Sequence, residues 1–493
     1  MKHVTSSVTK LAASICAAGA IASSGCSVPK EAGFPDVARL VEPRTGHTIY
    51  WNQGSEADAE VEKKTRAMLA HPLSAAEAVQ IALLNNHTLQ ATYEDLTIAQ
   101  ADLVQAGLLQ NPVFTGSVRF SLDGLPRPNL DFDVEQDFLS ILLIPARKRV
   151  AATAFEGVKL RVGHAVIELT YEVRAAYFML QGVGQIATMR RTILDTADAS
   201  LDLATRQHEA GNISDADLAN EQALHMQIQL DLTRSRGEIL AARERLMRLM
   251  GLWGVDAGWT IAERLPDLPA VDPRLEDVES VAIQKRLDVA AARWDFQMRS
   301  YVLEMARDFR WIGGAAVGAH FEREQDGRLL GPSARLELPI FDQKQTEIAR
   351  LEAELQRSRA RLQSLAVAAR SEVREARGRV ELARELADHY RTEVIPLRER
   401  LVALTQQQYD SMLVGVYQLL ATKQNEVNAY REYIETVRDY WVARADLDRA
   451  AGGRITGPVS ATPLPTAPAA PPMQMNMPMD MPMNMPMQHD MKH

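Results

Sequence analysis

Nine of the chain's 19 methionines fall within its last 21 residues. They are Met473, Met475, Met477, Met479, Met481, Met483, Met485, Met487 and Met491, with His489 and His493 among them. Thioethers are soft, neutral ligands suited to Cu(I) and Ag(I), imidazole adds nitrogen donors, and harder ions prefer other ligands. Pro478, Pro482 and Pro486 interrupt the run, which prevents helix. An irregular chain of alternating Met lets three or four sulfurs close around one ion without a prebuilt cage. The tail is therefore a candidate Cu(I)/Ag(I) binder, the alternative being inert low-complexity sequence. Nothing else in the chain asks for a cofactor. No Ser/His/Asp or Cys/His arrangement, phosphate loop or zinc-ligand spacing is present, so an enzyme is not expected.

A second chemically active position is Cys26. Lys2 and Lys10 precede a short apolar run from Leu11 to Ile21, followed by Ser23, Ser24, Gly25 and Cys26. That is the layout of an export signal, and its end resembles the lipobox of bacterial lipoproteins, with Ser23 where an aliphatic residue is usual. The resemblance implies a signal over 1–25, a lipidated Cys26 at the mature N-terminus, and transfer to the outer membrane. The alternative is a secreted chain with Cys26 incidental.

The 55 basic and 64 acidic side chains give a formal charge of −9. Removal of 1–25 takes Lys2 and Lys10 and leaves −11. A nucleic-acid partner, which needs a basic footprint, is not expected. One cysteine then remains, which excludes an intrachain disulfide. No apolar run reaches eighteen residues, so any membrane crossing must be made of β-strands.

The elements that carry these positions come in two copies. Ala242, Arg243, Leu246, Arg248 and Gly251 recur as Ala443, Arg444, Leu447, Arg449 and Gly452, and Glu172-Val173-Arg174 recurs as Glu372-Val373-Arg374. An offset that moves only from 200 to 201 residues reads as duplication. The repeats are expected at 74–251 and 275–453, separated by a linker at 252–274. An N-terminal anchor segment at 26–73 precedes them, and a Pro-rich linker with the tail follows at 454–493.

Each repeat reads as helix, two short strands, very long helix, turn, helix. The opening helices are expected over 74–110 and 275–310, with Ser74 and Glu77 forming a capping box. Strands are expected at 112–122, 130–138, 312–322 and 330–340. In the second of these Leu130, Phe132, Val134 and Phe138 alternate with Asp131, Asp133, Glu135 and Asp137. Alternation over nine to eleven residues suits either a membrane-barrel strand or a half-buried soluble hairpin. Asp123-Gly124 and Asp326-Gly327 have turn chemistry.

The second long helix, 343–412, carries a seam through Leu351, Leu355, Ser358, Leu362, Leu365, Ala369, Val373, Ala376, Val380 and Ala383. Pro396 should kink it or mark an irregularity. The helices at 275–310 and 416–451 have 36 residues each and together match its 70. One long helix flanked by two short ones stacked end to end follows.

The lipobox, the duplicated unit, Asn111-Pro112 before a strand and Leu338-Pro339-Ile340-Phe341-Asp342 before a long helix resemble the TolC-like outer-membrane factors, over about 73–453. In character the chain is closest to the heavy-metal (copper and silver) efflux lipoproteins among them. The resemblance implies a mainly α fold with a small membrane β part. As a homotrimer it would form a 12-stranded outer-membrane β-barrel joined to a long periplasmic α-helical barrel. Its partners would be outer-membrane lipid, a periplasmic adaptor (membrane fusion) protein and an inner-membrane pump.

The resemblance also places the turns at 208–214 and 409–415 at the periplasmic tip, with Gly211, Asn212, Met412, Val414 and Gly415 as adaptor contacts. Gly211 occupies the usual glycine slot and Met412 does so in the second tip, so the two tips are expected to differ in shape. Gln418 and Ala421 replace the acidic residues often found inside the second tip. The fold would direct Asp131, Asp133, Glu135 and Asp137 into the lumen, where three copies favour cations or merely hydrate the wall. An outer-membrane efflux duct for copper or silver is the expected function. Drug efflux, type I secretion, or a lipid-anchored periplasmic metal binder on a coiled-coil scaffold are the alternatives.

Overall fold

The computed structural model describes residues 29, 31–120, 128–254, 258–272, 278–323 and 327–455. Cys26, the turn residues Asp123, Gly124 and Asp326, and the methionine-rich tail lie outside the described residues.

The N-terminal segment forms α1 (Phe34–Thr45) and α2 (Glu56–Leu69). Phe34 and Trp51 meet Tyr93 with ring centroids at 5.1 and 6.3 Å. The first repeat then comprises α3 (Ala75–Asn85), α4 (His87–Ala106), β1 (Val113–Arg119), β2 (Asn129–Asp137), α5 (Leu139–Glu209) and α6 (Asp215–Met250). The second comprises α7 (Val278–Lys285), α8 (Leu287–Asp308), β3 (Ala315–Arg323), β4 (Arg328–Leu336), α9 (Gln345–His389), a π-helical turn (Tyr390–Val394), α10 (Ile395–Asp410) and α11 (Val416–Ala450). The 71 residues of α5 span about 106 Å at 1.5 Å per residue.

The stacked arrangement expected from helix lengths is present. Helix α5 packs along α6 at one end and α3 and α4 at the other, and α9 packs against α11, α7 and α8. Helix α5 also packs on α8 and α11, which joins the repeats into one body.

The opening helices are not continuous as the sequence suggests. Each breaks at one residue, Asn86 or Arg286, where the backbone turns extended. The cause lies in the partner helix that ends beside it. Gly251 closes α6 in the left-handed conformation, and a Cβ there would sit 2.5 Å from the Asn85 carbonyl oxygen. Gly452 does the same after α11, where a Cβ would meet the Arg286 amide nitrogen at 3.0 Å. Glycine thus lets one backbone press into the break of another. Asn85 and Asn86 donate from their side-chain amides to the Gly251 and Leu249 carbonyls at 2.8 Å, satisfying groups left open at the helix end.

In the second repeat charge replaces amides. The buried Arg286 bonds Asp288 at 2.6 Å and Glu372 at 2.5 Å. Burial alone would raise the Asp288 carboxyl, but the Arg286 guanidinium outweighs it and holds the group below its ordinary range.

The α9 seam is buried at Leu351, Leu355, Ser358, Ala369, Val373, Ala376, Val380 and Ala383 and half-buried at Leu362 and Leu365. The irregularity expected at Pro396 takes the form of the π-helical turn just before it. Proline lacks the N–H that Thr392 would accept and crowds that carbonyl, and the wider turn relieves both. Two cross-helix bonds tie this region to α11. Tyr390 donates to Glu432 at 2.7 Å, and Tyr430 donates to Glu399. The bond to Glu399, helped by burial, pushes the Tyr430 phenol up to about 12.

The strands form one antiparallel sheet in the order β1-β2-β3-β4. Its central pairing joins the repeats, with Asp133 opposite His320 and Val134 opposite Ala319.

Candidate functional site

The sheet has two unlike faces, as period-two alternation requires. On one face Phe114, Phe132 and Phe321 stack across three strands, with centroids 5.8 and 6.2 Å apart. Around them Val118, Val134, Val317, Leu330 and Leu336 are 44–77% exposed. At the end of the sheet where the chain enters and leaves the helices, Phe138, Trp311 and Phe341 are exposed too. An apolar band edged by aromatic residues is the surface of a sheet solvated by lipid. No helix among the described residues is long and apolar enough to cross a membrane.

The opposite face carries Asp131, Asp133 and Glu135, half-buried rather than open. Neighbouring strands supply counter-charges that sequence reasoning had not paired with them. Arg119 lies 3.8 Å from Asp131 and 3.5 Å from Glu322. His320 sits 3.6 Å from Asp131 and 3.4 Å from Asp133. Ser333 donates to Asp133 at 3.3 Å, and Arg335 pairs with Glu135. Asp137 is committed otherwise, accepting the Ser140 amide N–H at 3.2 Å where α5 begins. Asp131, Asp133 and Glu135 are therefore part of a mixed network, with Glu322, whose excess is acidic. Period-two alternation along β1 sets Arg119 with Thr115 and Ser117 on its polar side, but the partners on β3 and β4 depend on register across about 200 residues.

At the opposite end of the helices are the two tips. Gly211 and Met412 both adopt the left-handed conformation, at φ +74° and +56°. Asn212 and Leu413 donate to the carbonyls of Gln207 and Gln408, each at 2.8 Å. The caps Ser214 and Gly415 share φ near −80°. The expected difference in tip shape is thus corrected, since one backbone turn serves both. A side chain in the glycine slot strains the turn without changing it. What differs is chemistry. Ser214 and Asp217 form a capping box, whereas Gly415 offers no side chain, and Met412 and Leu413 are 94% and 75% exposed.

The architecture is a lipid-compatible sheet at one end of helices about 100 Å long, and comparison with known proteins finds the same fold. Residues 78–252 match the family model for outer membrane efflux protein. No curated protein matches the chain in sequence. Among solved structures, the CmeC outer membrane channel of Campylobacter jejuni is similar at 14% identity and a TM-score of 0.68. That match covers 87% of this chain and 93% of the other. A membrane protein from Pseudomonas aeruginosa aligns at 20% identity and 0.66, over 77% and 92%. The outer membrane protein VceC of Vibrio cholerae aligns at 16% and 0.64, over 77% and 96%. Residues 78–252 thus resemble the outer membrane efflux protein family, and the chain shares the fold of these solved outer-membrane channels.

Proposed function

We propose that this protein is the outer-membrane exit channel of a tripartite efflux system. In this reading it works as a lipid-anchored homotrimer with an adaptor and an inner-membrane pump, and it exports Cu(I) or Ag(I). The observation that carries the channel reading is the four-stranded sheet with an exposed apolar face and two edges, β1 and β4, that are unpaired among the described residues. Three copies joined edge to edge close twelve strands into a barrel and leave no open edge.

Exposed apolar side chains elsewhere support assembly. Leu382, Leu386, Leu397, Leu401 and Leu404 run down the second long helix, while Met226, Leu230 and Leu240 run along α6. Unlike patches on two faces of one protomer suit a ring built head to tail. A coiled-coil scaffold for the tail would need none of these surfaces.

The metal reading rests on the tail. Its chemistry selects soft monovalent ions, and its linker leaves from Ile455, which packs by α7, α9 and α11. The test is cell-associated copper and silver, beside an organic dye, in a strain lacking the protein. Complementation uses the full chain or one ending at Gly457. Metal retention without dye retention, reversed by the full chain, is the expected result, and the shortened chain reports what the tail contributes. Dye retention with unchanged metal would replace metal export with drug efflux.

A further inference from the structure

Just above the tips, the first hairpin and α11 enclose a cleft of about 260 Å³. Its wall is mostly apolar, from Ile193 on α5, Leu224 and Ile228 on α6, and Leu420 and Val427 on α11. Into it projects Glu221, which is 95% buried, since only 5% of its surface is exposed. Its one hydrogen bond among the described residues comes from the Ser200 hydroxyl at 3.2 Å. No Arg, Lys or His among the described residues comes within 4.0 Å of it.

The other charged groups of the cleft are already committed. Lys423 pairs with Glu426, itself buried, and His225 lies 2.5 Å from Asp198. A buried carboxylate with a single hydroxyl donor is poorly compensated. A concave apolar wall with one such polar group is the usual form of a small-molecule site.

We propose that this cleft binds small amphiphilic organic cations, an ammonium on Glu221 and Ser200 and an apolar body against Ile193, Leu224, Ile228 and Val427. The size and one-sided polarity select a compact aromatic or alkyl amine over a metal ion, since Met189 brings a single thioether to the lining and no cluster of three His, Cys, Asp or Glu is present among the described residues. A bound cation would touch α5, α6 and α11 together and so tie the first hairpin to the second. Glu221 lies six residues into α6, about 9 Å from the turn, so the tie acts close to the tip. The site does not depend on what the channel carries.

The experiment is calorimetric titration of the full-length protein in lipid nanodiscs with tryptamine, and with indole-3-propionate, which carries a carboxylate on a similar body. One saturable tryptamine site per protomer is expected, with no binding of the anion. Glu221→Gln keeps the bond from Ser200 and should weaken tryptamine at least tenfold. Val427→Trp fills the cleft without touching the carboxylate and should abolish binding. Thermal midpoints of both variants confirm that they fold. Absence of a saturable site in the native protein, equal binding of the two probes, or unchanged affinity in either variant would overturn the proposal.

Discussion

Met412 holds a left-handed backbone at φ +56° with its side chain 94% exposed, so nothing packs against it to repay the strain. A non-glycine residue in that conformation costs about 1 kcal/mol or more. Met412→Gly should therefore raise the thermal midpoint of the protein by about 1 °C, given its size. If the exposed thioether is also where an adaptor docks, the same substitution should lower export while stabilising the fold. A midpoint that falls would remove the strain argument, and unchanged export would remove Met412 from the contact.

Elements in this chain meet where one helix ends against the break in another. Gly251 and Gly211 have similar backbone angles, φ +69° and +74°, but different surroundings. A Cβ on Gly251 would strike the Asn85 carbonyl at 2.5 Å, whereas nothing lies within 4 Å of one on Gly211. Gly211→Ala should then cost only the conformational strain of about 1 kcal/mol. Gly251→Ala adds a backbone collision and should cost roughly 3 kcal/mol or more. Paired thermal melts of the two variants check this, and equal losses would show that α6 does not press on the break at Asn86.

For the whole molecule, the sheet's two faces decide what the pore presents to ions. The polar face holds Asp131, Asp133, Glu135, Asp137 and Glu322 against Arg119 and Arg335, with His320 between the strands. Paired groups still leave an acidic excess, which favours cations where a face of this kind lines a lumen. The triple variant Asp131→Asn, Asp133→Asn and Glu135→Gln balances the remaining charges. Potassium-over-chloride permeability in planar bilayers should fall toward one, most clearly at low salt, where screening is weak. An unchanged ratio would place selectivity elsewhere along the duct.

Much of this architecture is local and was therefore readable from the chain alone. The duplication shows when the chain is compared with itself, and the alternation around Phe132 and Asp133, the seam from Leu351 to Ala383 and the irregularity at Pro396 all depend on neighbours a few residues apart. The left-handed turn at Gly211 belongs with them, because the backbone preference of a residue is its own. Tertiary structure alone decided the rest. The break at Asn86 exists because Gly251 arrives beside it from 165 residues away, and the expected continuous helix gave way to that contact. Arg119, His320 and Arg335 meet the carboxylates through strand register, which the order of residues does not encode. Glu221 looks like any polar residue on an exposed helix until α5 and α11 close around it, because burial is a property of the assembled helices and not of a sequence position.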